Sequence, residues 1–230
     1  MDPHSQLSRR DLLHRGAGLG AAVAAGTILA ACSPATKAPS TTPGPAQEEV
    51  TTTPSTPGRT LLAYFSRPGE NYYNGGRRNL DVGNTEVLAR MISDLVDCDT
   101  YRIEAVEPYS NSYDATVARN VREQDNDSRP AIAKPLGSIE QYDTVLVGSP
   151  IWNVRPPMIM LTFLESHDFA GKTVLPFVTY AVSGLGRTET VYSPALTGAR
   201  LQDGLAIRGE EEADHRGDVE AWLRQGSLLP

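Results

Sequence analysis

Short apolar runs alternate with segments of helical periodicity through most of the chain. Residues 61–65, 144–148 and 173–178 are apolar runs bounded by turn residues, a pattern typical of buried parallel strands. Residues 100–104 alternate as an edge strand would, and residues 204–207 are a candidate last strand. Helical periodicity is present in residues 85–96, 113–125, 158–165, 189–196 and 214–224. Five strands that alternate with five helices predict an open α/β sheet.

The first 58 residues have a different composition and predict no folded core. They hold seven of the 17 prolines and no aromatic residue. Arg9 and Arg10 form a twin-arginine pattern, and the uncharged residues 16–31 follow it as the apolar part of a signal peptide would. That run is too short and too rich in Ala and Gly for a comfortable transmembrane helix.

The four residues that end at Cys32 resemble a bacterial lipobox, in which the signal is cut before the cysteine and the thiol is acylated. Residues 1–31 are then a signal peptide, and Cys32 anchors the protein to the outer face of the cytoplasmic membrane. The alternative is an ordinary basic signal region with a chance cysteine downstream. Residues 32–58, rich in Ser, Thr, Pro and Ala, predict a disordered tether, so the globular domain is expected over residues 59–230.

Composition and charge narrow the function classes. The chain carries 28 Asp and Glu against 21 Lys and Arg, a net charge of −7, which argues against a nucleic acid as the main partner. Loss of residues 1–31 would remove three arginines and two aspartates and leave about −8. Once Cys32 is acylated, Cys98 has no partner and is expected to be a small buried residue. The motifs HExxH, CxxC, GxSxG and GxxxxGK[ST] do not occur, and we expect no metal site and no catalytic side chain.

The candidate chemistry lies in three loops, because ligands of open α/β sheets bind at the carboxyl ends of the strands. Ser66 ends the first strand, and Gly83, Asn84 and Thr85 open the next helix. Free peptide N–H groups, the positive end of the helix dipole and short polar side chains suit a phosphate there. The alternative is that Asn84 only caps the helix.

The other two loops offer aromatic and glycine-rich walls. The loop after the third strand consists of Pro150, Ile151, Trp152 and Asn153. Its tryptophan is either a stacking face for a planar ligand or a lid on the core. The loop after the fourth strand combines an aromatic residue with small ones, namely Thr179, Tyr180, Ser183, Gly184 and Gly186. Small residues let the backbone approach a ligand closely.

The order of these motifs resembles the flavodoxin family over residues 60–225. The resemblance rests on Tyr-Phe-Ser at 64–66, Gly-Asn-Thr at 83–85, Gly-Ser-Pro-Ile-Trp at 148–152 and Ser-Gly-Leu-Gly at 183–186. Pro108, Tyr109 and Tyr113 are similar to the Pro-Tyr-x-x-x-Tyr element of a bacterial branch of that family. It implies a flavodoxin-like three-layer sandwich with a five-stranded parallel sheet of order 2-1-3-4-5, helices on both faces, and bound FMN.

The same resemblance implies a role for each strand-end loop. Ser66, Gly83, Asn84 and Thr85 would bind the phosphate, and residues 150–153 would lie against the isoalloxazine ring. Thr179, Tyr180, Ser183, Gly184 and Gly186 would form the second ring-binding loop. Residues 67–82 exceed a compact phosphate loop, and we expect them to form a flap over the flavin or a surface for a partner.

These features predict a membrane-anchored electron-transfer protein. Two alternatives remain at this stage: an FMN-dependent quinone or small-substrate reductase, and a flavin-free scaffold that binds another protein. We expect a monomer whose redox partner has a basic docking face. Glu210, Glu211 and Glu212, with Asp214, are expected to be a solvated loop and acidic helix start, or part of an acidic docking face for that partner.

Overall fold

The computed structural model of the chain describes residues 58–230. The predicted signal peptide, Cys32 and the predicted tether up to residue 57 lie outside the described residues. The strands are β1 (Thr60–Phe65), β2 (Gly69–Tyr73), β3 (Gly76–Leu80), β4 (Asp99–Ile103), β5 (Thr144–Pro150), β6 (Thr173–Tyr180), β7 (Arg200–Leu201) and β8 (Leu205–Arg208). The helices are α1 (Asn84–Ser93), α2 (Tyr113–Asp125), α3 (Ile159–Glu165), α4 (Thr188–Tyr192) and α5 (Arg216–Gln225).

The main sheet is parallel throughout and has the order β4-β1-β5-β6, with β7 and β8 both beside β6. If β1, β4, β5 and β6 are taken as strands 1 to 4 of the sheet, and β7 and β8 together as strand 5, this is the predicted order 2-1-3-4-5. The fifth position is split, because β7 pairs with β6 at Thr173 and Val174, and β8 pairs with it only from Phe177 onwards. The flavodoxin-like α/β sandwich predicted from the sequence is therefore confirmed, with its last strand in two pieces.

Both faces of the sheet are buried. Alternate side chains of each central strand point to opposite faces, and apolar residues pack against helices on both. Leu61 and Phe65 of β1 pack on the face covered by α3, where Phe163 is fully buried. Leu62 of β1 packs on the other face, which α1 and α5 cover with apolar residues such as Leu223. Helices on both sides leave only the ends of the strands open to a ligand.

Residues 67–82, expected to form a flap over the flavin or a surface for a partner, contain the antiparallel hairpin of β2 and β3. Its turn is Asn74-Gly75, and both residues have positive φ angles, of 46° and 83°. Two-residue hairpin turns of this kind favour Asn-Gly because both central residues adopt left-handed conformations. The predicted helix over residues 189–196 is shorter than expected: α4 ends at Tyr192, and Ser193–Ala195 form a 3₁₀ turn around Pro194.

Two further features of the described residues bear on function. Between residues 58 and 230 no helix combines the length and the apolar character that crossing a membrane requires. Cys98 is half-buried against the core rather than fully buried as expected. Burial and the neighbouring Asp97 and Asp99 raise the pKa of its thiol, which makes it a poor nucleophile.

Gly148 of β5 lies directly beside Phe177 of β6. The two residues are paired in register, and a Cβ on Gly148 would overlap the phenylalanine ring. Gly148→Ala is therefore expected to lower the free energy of unfolding by about 1–3 kcal/mol, the usual cost of overpacking a core. Urea denaturation followed by circular dichroism measures it.

Gly137→Ala is the matched control, since a Cβ on Gly137 meets nothing within 4 Å. It is expected to leave the unfolding midpoint unchanged or raise it slightly. Equal destabilisation by the two substitutions would contradict the steric explanation.

Candidate functional site

A cleft opens at the carboxyl ends of β1, β5 and β6. It encloses about 860 Å³, the open space at its mouth included. The strand order reverses beside β1, so the cleft stands at the switch point of the sheet, where ligands of such folds bind.

One end of the cleft is built to attract an anion. The Oγ atom of Ser66 accepts a hydrogen bond from the peptide nitrogen of Glu86 at 3.1 Å, and the carbonyl of Gly83 accepts one from the same nitrogen at 2.9 Å. The N–H groups of Asn84 and Thr85, in the first turn of α1, have no acceptor within the helix itself. They and the helix dipole give this end a positive potential.

Two close contacts fix the geometry of this end. A Cβ on Gly83 would overlap the Ser66 hydroxyl and the Arg67 carbonyl, so only glycine lets the chain return to the end of β1. The hydroxyls of Thr85 and Thr179, both buried, are 2.7 Å apart and hydrogen-bonded. This bond joins the start of α1 to the end of β6 and fixes the positions of these two segments of the cleft relative to each other.

Trp152 belongs both to the wall of the cleft and to the core. Its ring meets the rings of Phe65 and Tyr109 edge-on, with centroids 5.5 and 5.1 Å away. It also lines the cleft and is only half-buried. Trp152 therefore both packs on the core and lines the cleft, and packing against Phe65 and Tyr109 orients the indole ring.

A tight turn holds Trp152 in place. Its peptide nitrogen donates to the carbonyl of Arg155 at 2.9 Å, and the two residues between them, Asn153 and Val154, have positive φ angles of 51° and 66°. Gln124 of α2 clamps the turn by donating to the Trp152 carbonyl at 3.2 Å and accepting from the Asn153 amide at 3.0 Å. A β-branched residue such as Val154 is rare in the left-handed conformation.

The end of β6 and the first residue of the loop that follows it line the cleft. Thr179, Tyr180 and Ala181 line it, and the Thr179 carbonyl accepts from the peptide nitrogen of Ile151 at 2.9 Å. The three residues predicted further along, Ser183, Gly184 and Gly186, do not line the cleft. Gly186 supports the site from behind, because its positive φ of 55° brings it against the Val154 carbonyl.

The hairpin of β2 and β3 covers one side of the cleft, which Asn71 and Tyr72 line. Arg77 ties it to α2 through two hydrogen bonds to the Asp114 carboxylate, at 2.9 and 2.7 Å. The carboxylate of Glu70 accepts from the peptide nitrogen of Tyr113 at 3.0 Å. The hairpin is therefore attached at the same end of α2 whose residues complete the cleft.

The acidic loop expected to be solvated is partly turned inward. The side chain of Glu210 is only 2% exposed, and its carboxylate accepts from the peptide nitrogen of Asn74 at the tip of the hairpin, at 3.0 Å. Burial raises the pKa of Glu212. Glu211 is half-exposed and lies near Arg208 and His215. The solvated position predicted for Glu210 is therefore wrong: this residue borders the cleft and is hydrogen-bonded to the hairpin.

The inner face of α2 is polar, although it is buried. Thr116, Asn120 and Glu123 are each less than one-tenth exposed, and the first two line the cleft. The carboxylate of Glu123 accepts from the Tyr109 hydroxyl at 2.8 Å and pairs with Arg119 at 2.6 Å. Burial and this carboxylate raise the pKa of Tyr109, which therefore remains a neutral donor at any physiological pH.

Nine of the thirteen predicted site residues line the cleft together. They are Ser66, Asn84, Thr85, Pro150, Ile151, Trp152, Asn153, Thr179 and Tyr180. Gly83 lies directly behind the first of these. Sequence reasoning did not assign Arg67, Tyr113, Thr116, Asn120, Gly209 and Glu210 to the site. For Tyr113 a signal existed in the Pro-Tyr-x-x-x-Tyr element, whereas the polar residues of α2 gave none.

The cleft suits an anionic, planar organic ligand better than a metal. Between residues 58 and 230 no group of three or more His, Cys, Asp or Glu side chains is arranged to hold a metal ion. The anion-attracting end and the aromatic wall at Trp152 lie in one cavity, joined by the Thr85–Thr179 hydrogen bond. A phosphorylated aromatic cofactor has both features that this arrangement could bind.

Three solved flavoproteins are similar to this chain. A candidate flavoprotein from Bacteroides uniformis is 32% identical and covers 73% of this chain and 98% of its own, with a TM-score of 0.57. One from Bacteroides eggerthii is 28% identical and covers 74% and 98%, with a TM-score of 0.60. A Lactobacillus acidophilus flavoprotein, solved in complex with FMN, is 22% identical over 70% of this chain and 99% of its own, with a TM-score of 0.48.

No curated protein matches the chain significantly. The sequence model described as Flavodoxin matches residues 80–225, which include α1, the Trp152 turn and all of the sheet from β4 onwards. Since that match covers more than half of the chain and agrees with the strand order and the position of the cleft, this chain belongs to the flavodoxin family.

Proposed function

We propose that the chain binds FMN in the cleft and passes one or two electrons to or from another protein outside the cytoplasm, held to the membrane by a lipid on Cys32. The observation that carries the proposal is the union, in a member of the flavodoxin family, of the anion-attracting start of α1 with the aromatic wall at Trp152. FMN carries a phosphate and a planar ring system, so it has a group for each end.

The residues of the cleft fit FMN. The N–H groups of Asn84 and Thr85 lie at the anion-attracting end, where a phosphate would accept from them, and Trp152 and Tyr180 are the aromatic residues of the two candidate ring-binding loops. Bound FMN would supply the redox chemistry, since its isoalloxazine ring accepts and releases electrons. The protein would hold the ring, exclude water with the hairpin and set the potential through nearby charges and hydrogen bonds.

Electron transfer to a protein partner is favoured over hydride transfer from a dinucleotide. Among the cleft-lining residues that the structure describes, Arg67 is the one cation and Glu210 the one carboxylate. NADH and NADPH bring a pyrophosphate in addition to the phosphate of FMN, and no second cation is present in the cleft to receive it. A carrier needs no such site.

The surface around the cleft suits a transient partner. Val117, Val154 and Val182 are exposed to 42%, 49% and 80%, and they belong to the three segments that border the mouth. Exposed apolar residues beside a redox site favour the small, short-lived contacts typical of electron-transfer pairs. The net charge of −7 further supports a partner with a basic docking face.

Export and lipid anchoring rest on the amino-terminal sequence. The twin-arginine pattern at Arg9 and Arg10 and the lipobox at Cys32 agree in order and spacing with an exported lipoprotein. Signals that this segment resembles direct the export of folded proteins. The cofactor could therefore be bound before export.

FMN binding predicts that the purified full chain is yellow and releases FMN on denaturation. Free flavin is identified by its absorption and by chromatography. A colourless protein that does not take up added FMN would refute both the carrier and the reductase.

The same preparation tests the aromatic wall. Trp152→Ala is expected to weaken FMN binding about 3- to 10-fold and to change the flavin spectrum, because an aromatic contact contributes roughly 0.5–1.5 kcal/mol. Trp222→Phe is the control, since Trp222 lies on α5 and packs against Phe177, away from the cleft. Unchanged binding by the Trp152 variant would exclude the stacking role.

The carrier and the reductase predict different kinetics. With NADH or NADPH as donor, a quinone as acceptor and no added reductase, the FMN-loaded protein is expected to oxidise the nucleotide no faster than the same concentration of free FMN. Saturable oxidation well above that background would favour the reductase instead.

The lipid anchor is tested in cells fed a tagged fatty acid. The wild-type chain is expected to carry the tag and Cys32→Ser to lose it, because the acylated thiol is gone. Cys98→Ser is the matched control and should remain labelled. A tag that persists on the Cys32 variant would remove the anchor from the proposal.

A further inference from the structure

Asn120 is a buried amide on the wall of the cleft whose nitrogen is unused by the protein. The residue lies on the inner face of α2 and is 2% exposed. Its Oδ1 atom accepts a hydrogen bond from the Nε2 atom of Gln124, one helical turn further on, at 3.3 Å. Across residues 58–230, its Nδ2 atom has no hydrogen-bond acceptor, and protein atoms do not close it off from solvent. Both N–H donors of this amide are therefore left to the cleft.

The orientation of the Asn120 amide is fixed by the backbone of the Trp152 turn. The Trp152 carbonyl can only accept, so the side chain of Gln124 must direct its nitrogen there, at 3.2 Å. The oxygen of Gln124 accepts from the Asn153 amide, and its nitrogen also donates to Asn120. A reversed Asn120 amide would set two N–H donors against each other. Its oxygen therefore faces Gln124, and its nitrogen faces the cleft.

Other polar side chains that line the cleft are engaged by the protein itself. The hydroxyl of Thr116, one turn earlier on α2, donates to the carbonyl of Ser110 at 2.8 Å. The amide of Asn71 donates to the carbonyl of Gly69 at 3.0 Å. Asn84 is only half-buried and belongs to the anion-attracting end. Buried polar groups are almost always hydrogen-bonded, so a buried donor left free on the wall of a cleft indicates a contact with a ligand.

Asn120 lies on the aromatic side of the cleft. One nitrogen of Gln124 contacts both the Asn120 oxygen and the Trp152 carbonyl, so the Asn120 amide is adjacent to the Trp152 turn. The start of α2 lies instead beside the hairpin, because the Tyr113 nitrogen donates to Glu70. Between Tyr113 and Asn120 the helix advances by about 10 Å, away from the hairpin. The free donors therefore face the part of the cleft where a planar ring would lie against Trp152.

We propose that Asn120 is a specificity-determining residue, whose side-chain amide donates a hydrogen bond to an acceptor atom at the edge of the isoalloxazine ring. The inference rests on the proposed binding of FMN. The ring carries carbonyl oxygens and nitrogens with lone pairs along its edge. An aromatic wall such as Trp152 binds planar rings of many kinds, whereas a buried donor disfavours a ring without an acceptor, because the N–H group would stay unpaired.

Asn120 also has a structural role that the test must separate. Its oxygen bonds to Gln124, which clamps the Trp152 turn. Asn120→Asp has the same shape and keeps an oxygen for Gln124, but it replaces the two N–H donors by a second acceptor. Asn120→Ala removes the donors and the bond to Gln124 together. Comparison of the two variants therefore distinguishes donation to the ligand from support of the turn.

The experiment measures the affinity of the full apoprotein for three flavins by quenching of flavin fluorescence. They are FMN, riboflavin and lumiflavin, which is the ring without the ribityl chain and the phosphate. Mildly alkaline buffer favours the ionised aspartate. Asn120→Asp is expected to weaken all three by the same factor, about 10- to 100-fold, because acceptors then face each other. Asn120→Ala should weaken them about 3- to 10-fold, the usual net worth of one hydrogen bond.

Asn79→Asp is the matched control, because it makes the same change on the exposed strand β3, outside the cleft. It is expected to change each affinity less than about 2-fold, since an exposed charge is well screened. An equal loss in Asn79→Asp and Asn120→Asp would overturn the proposal, because general charge would then explain it.

Each remaining result bears on one claim. A wild-type chain that binds none of the flavins would refute the proposed function itself. A chain that binds them with affinities unchanged in both Asn120 variants would refute the role of Asn120 and leave the proposed function standing. A loss confined to FMN would assign the amide to the phosphate, and a loss that spares only lumiflavin would assign it to the ribityl chain. Weakening by Asn120→Ala alone would leave only the bond to Gln124. Each of these three results overturns the proposal.

A measurement on the wild-type protein keeps the inference testable if the Asn120 variants do not fold. Hydrogen exchange of the Asn120 side-chain amide can be followed by ¹⁵N nuclear magnetic resonance. It is expected to slow on addition of lumiflavin as it does with FMN, because the ring alone supplies the acceptor. The Asn71 amide, already bonded to the Gly69 carbonyl, should change little. Exchange at Asn120 that lumiflavin leaves unchanged would refute donation to the ring.

Discussion

The first turn of α1 presents peptide N–H groups that the helix cannot pair, and much of the cleft is arranged around them. Gly83 brings the end of β1 against this turn, Ser66 takes up the Glu86 nitrogen, and the Thr85–Thr179 hydrogen bond fixes the turn to β6. Because parallel strands carry their helices on the two faces, the start of α1 can only open at the carboxyl edge of the sheet. The anion end and the aromatic wall share one cavity for that reason.

Most of the fold could be predicted from the sequence, since buried parallel strands are short apolar runs and their helices are amphipathic. The strand order came from the resemblance, and the structure agrees. The segment that forms the hairpin was expected to be a flap over the flavin or a surface for a partner, and its two strands were not predicted, although Asn74-Gly75 is a recognisable turn signal. The division of the last strand had no signal in the hydrophobic pattern. It arises because three residues, 202–204, stand between β7 and β8 opposite only two residues of β6.

The site was predictable where it lies on strand ends and not where it lies on α2. Thr116 and Asn120 are buried polar residues, and periodicity of apolar residues assigns such positions to the solvent side. The environment of Glu210 was predicted wrongly for a similar reason. A run of three glutamates is typical of a solvated loop, but the carboxylate of the first one accepts a hydrogen bond from the Asn74 peptide nitrogen. The hydrogen-bond donor of this buried carboxylate is a peptide nitrogen 136 residues away in the sequence, so no local sequence pattern could predict it.

The contact between Ser66 and Gly83 has a consequence for how such a protein can change. The sixteen residues between them begin and end at the same place, because Gly83 lies against Ser66. The ends of this loop therefore stay together whatever the length of the hairpin between them. Loop-closure entropy varies slowly with length, at about 0.6 kcal/mol for each doubling. The turn and the exposed face of the hairpin can therefore change while β1, α1 and the cleft-lining Asn71 and Tyr72 stay in place, which lets partner choice diverge without rebuilding the cofactor site.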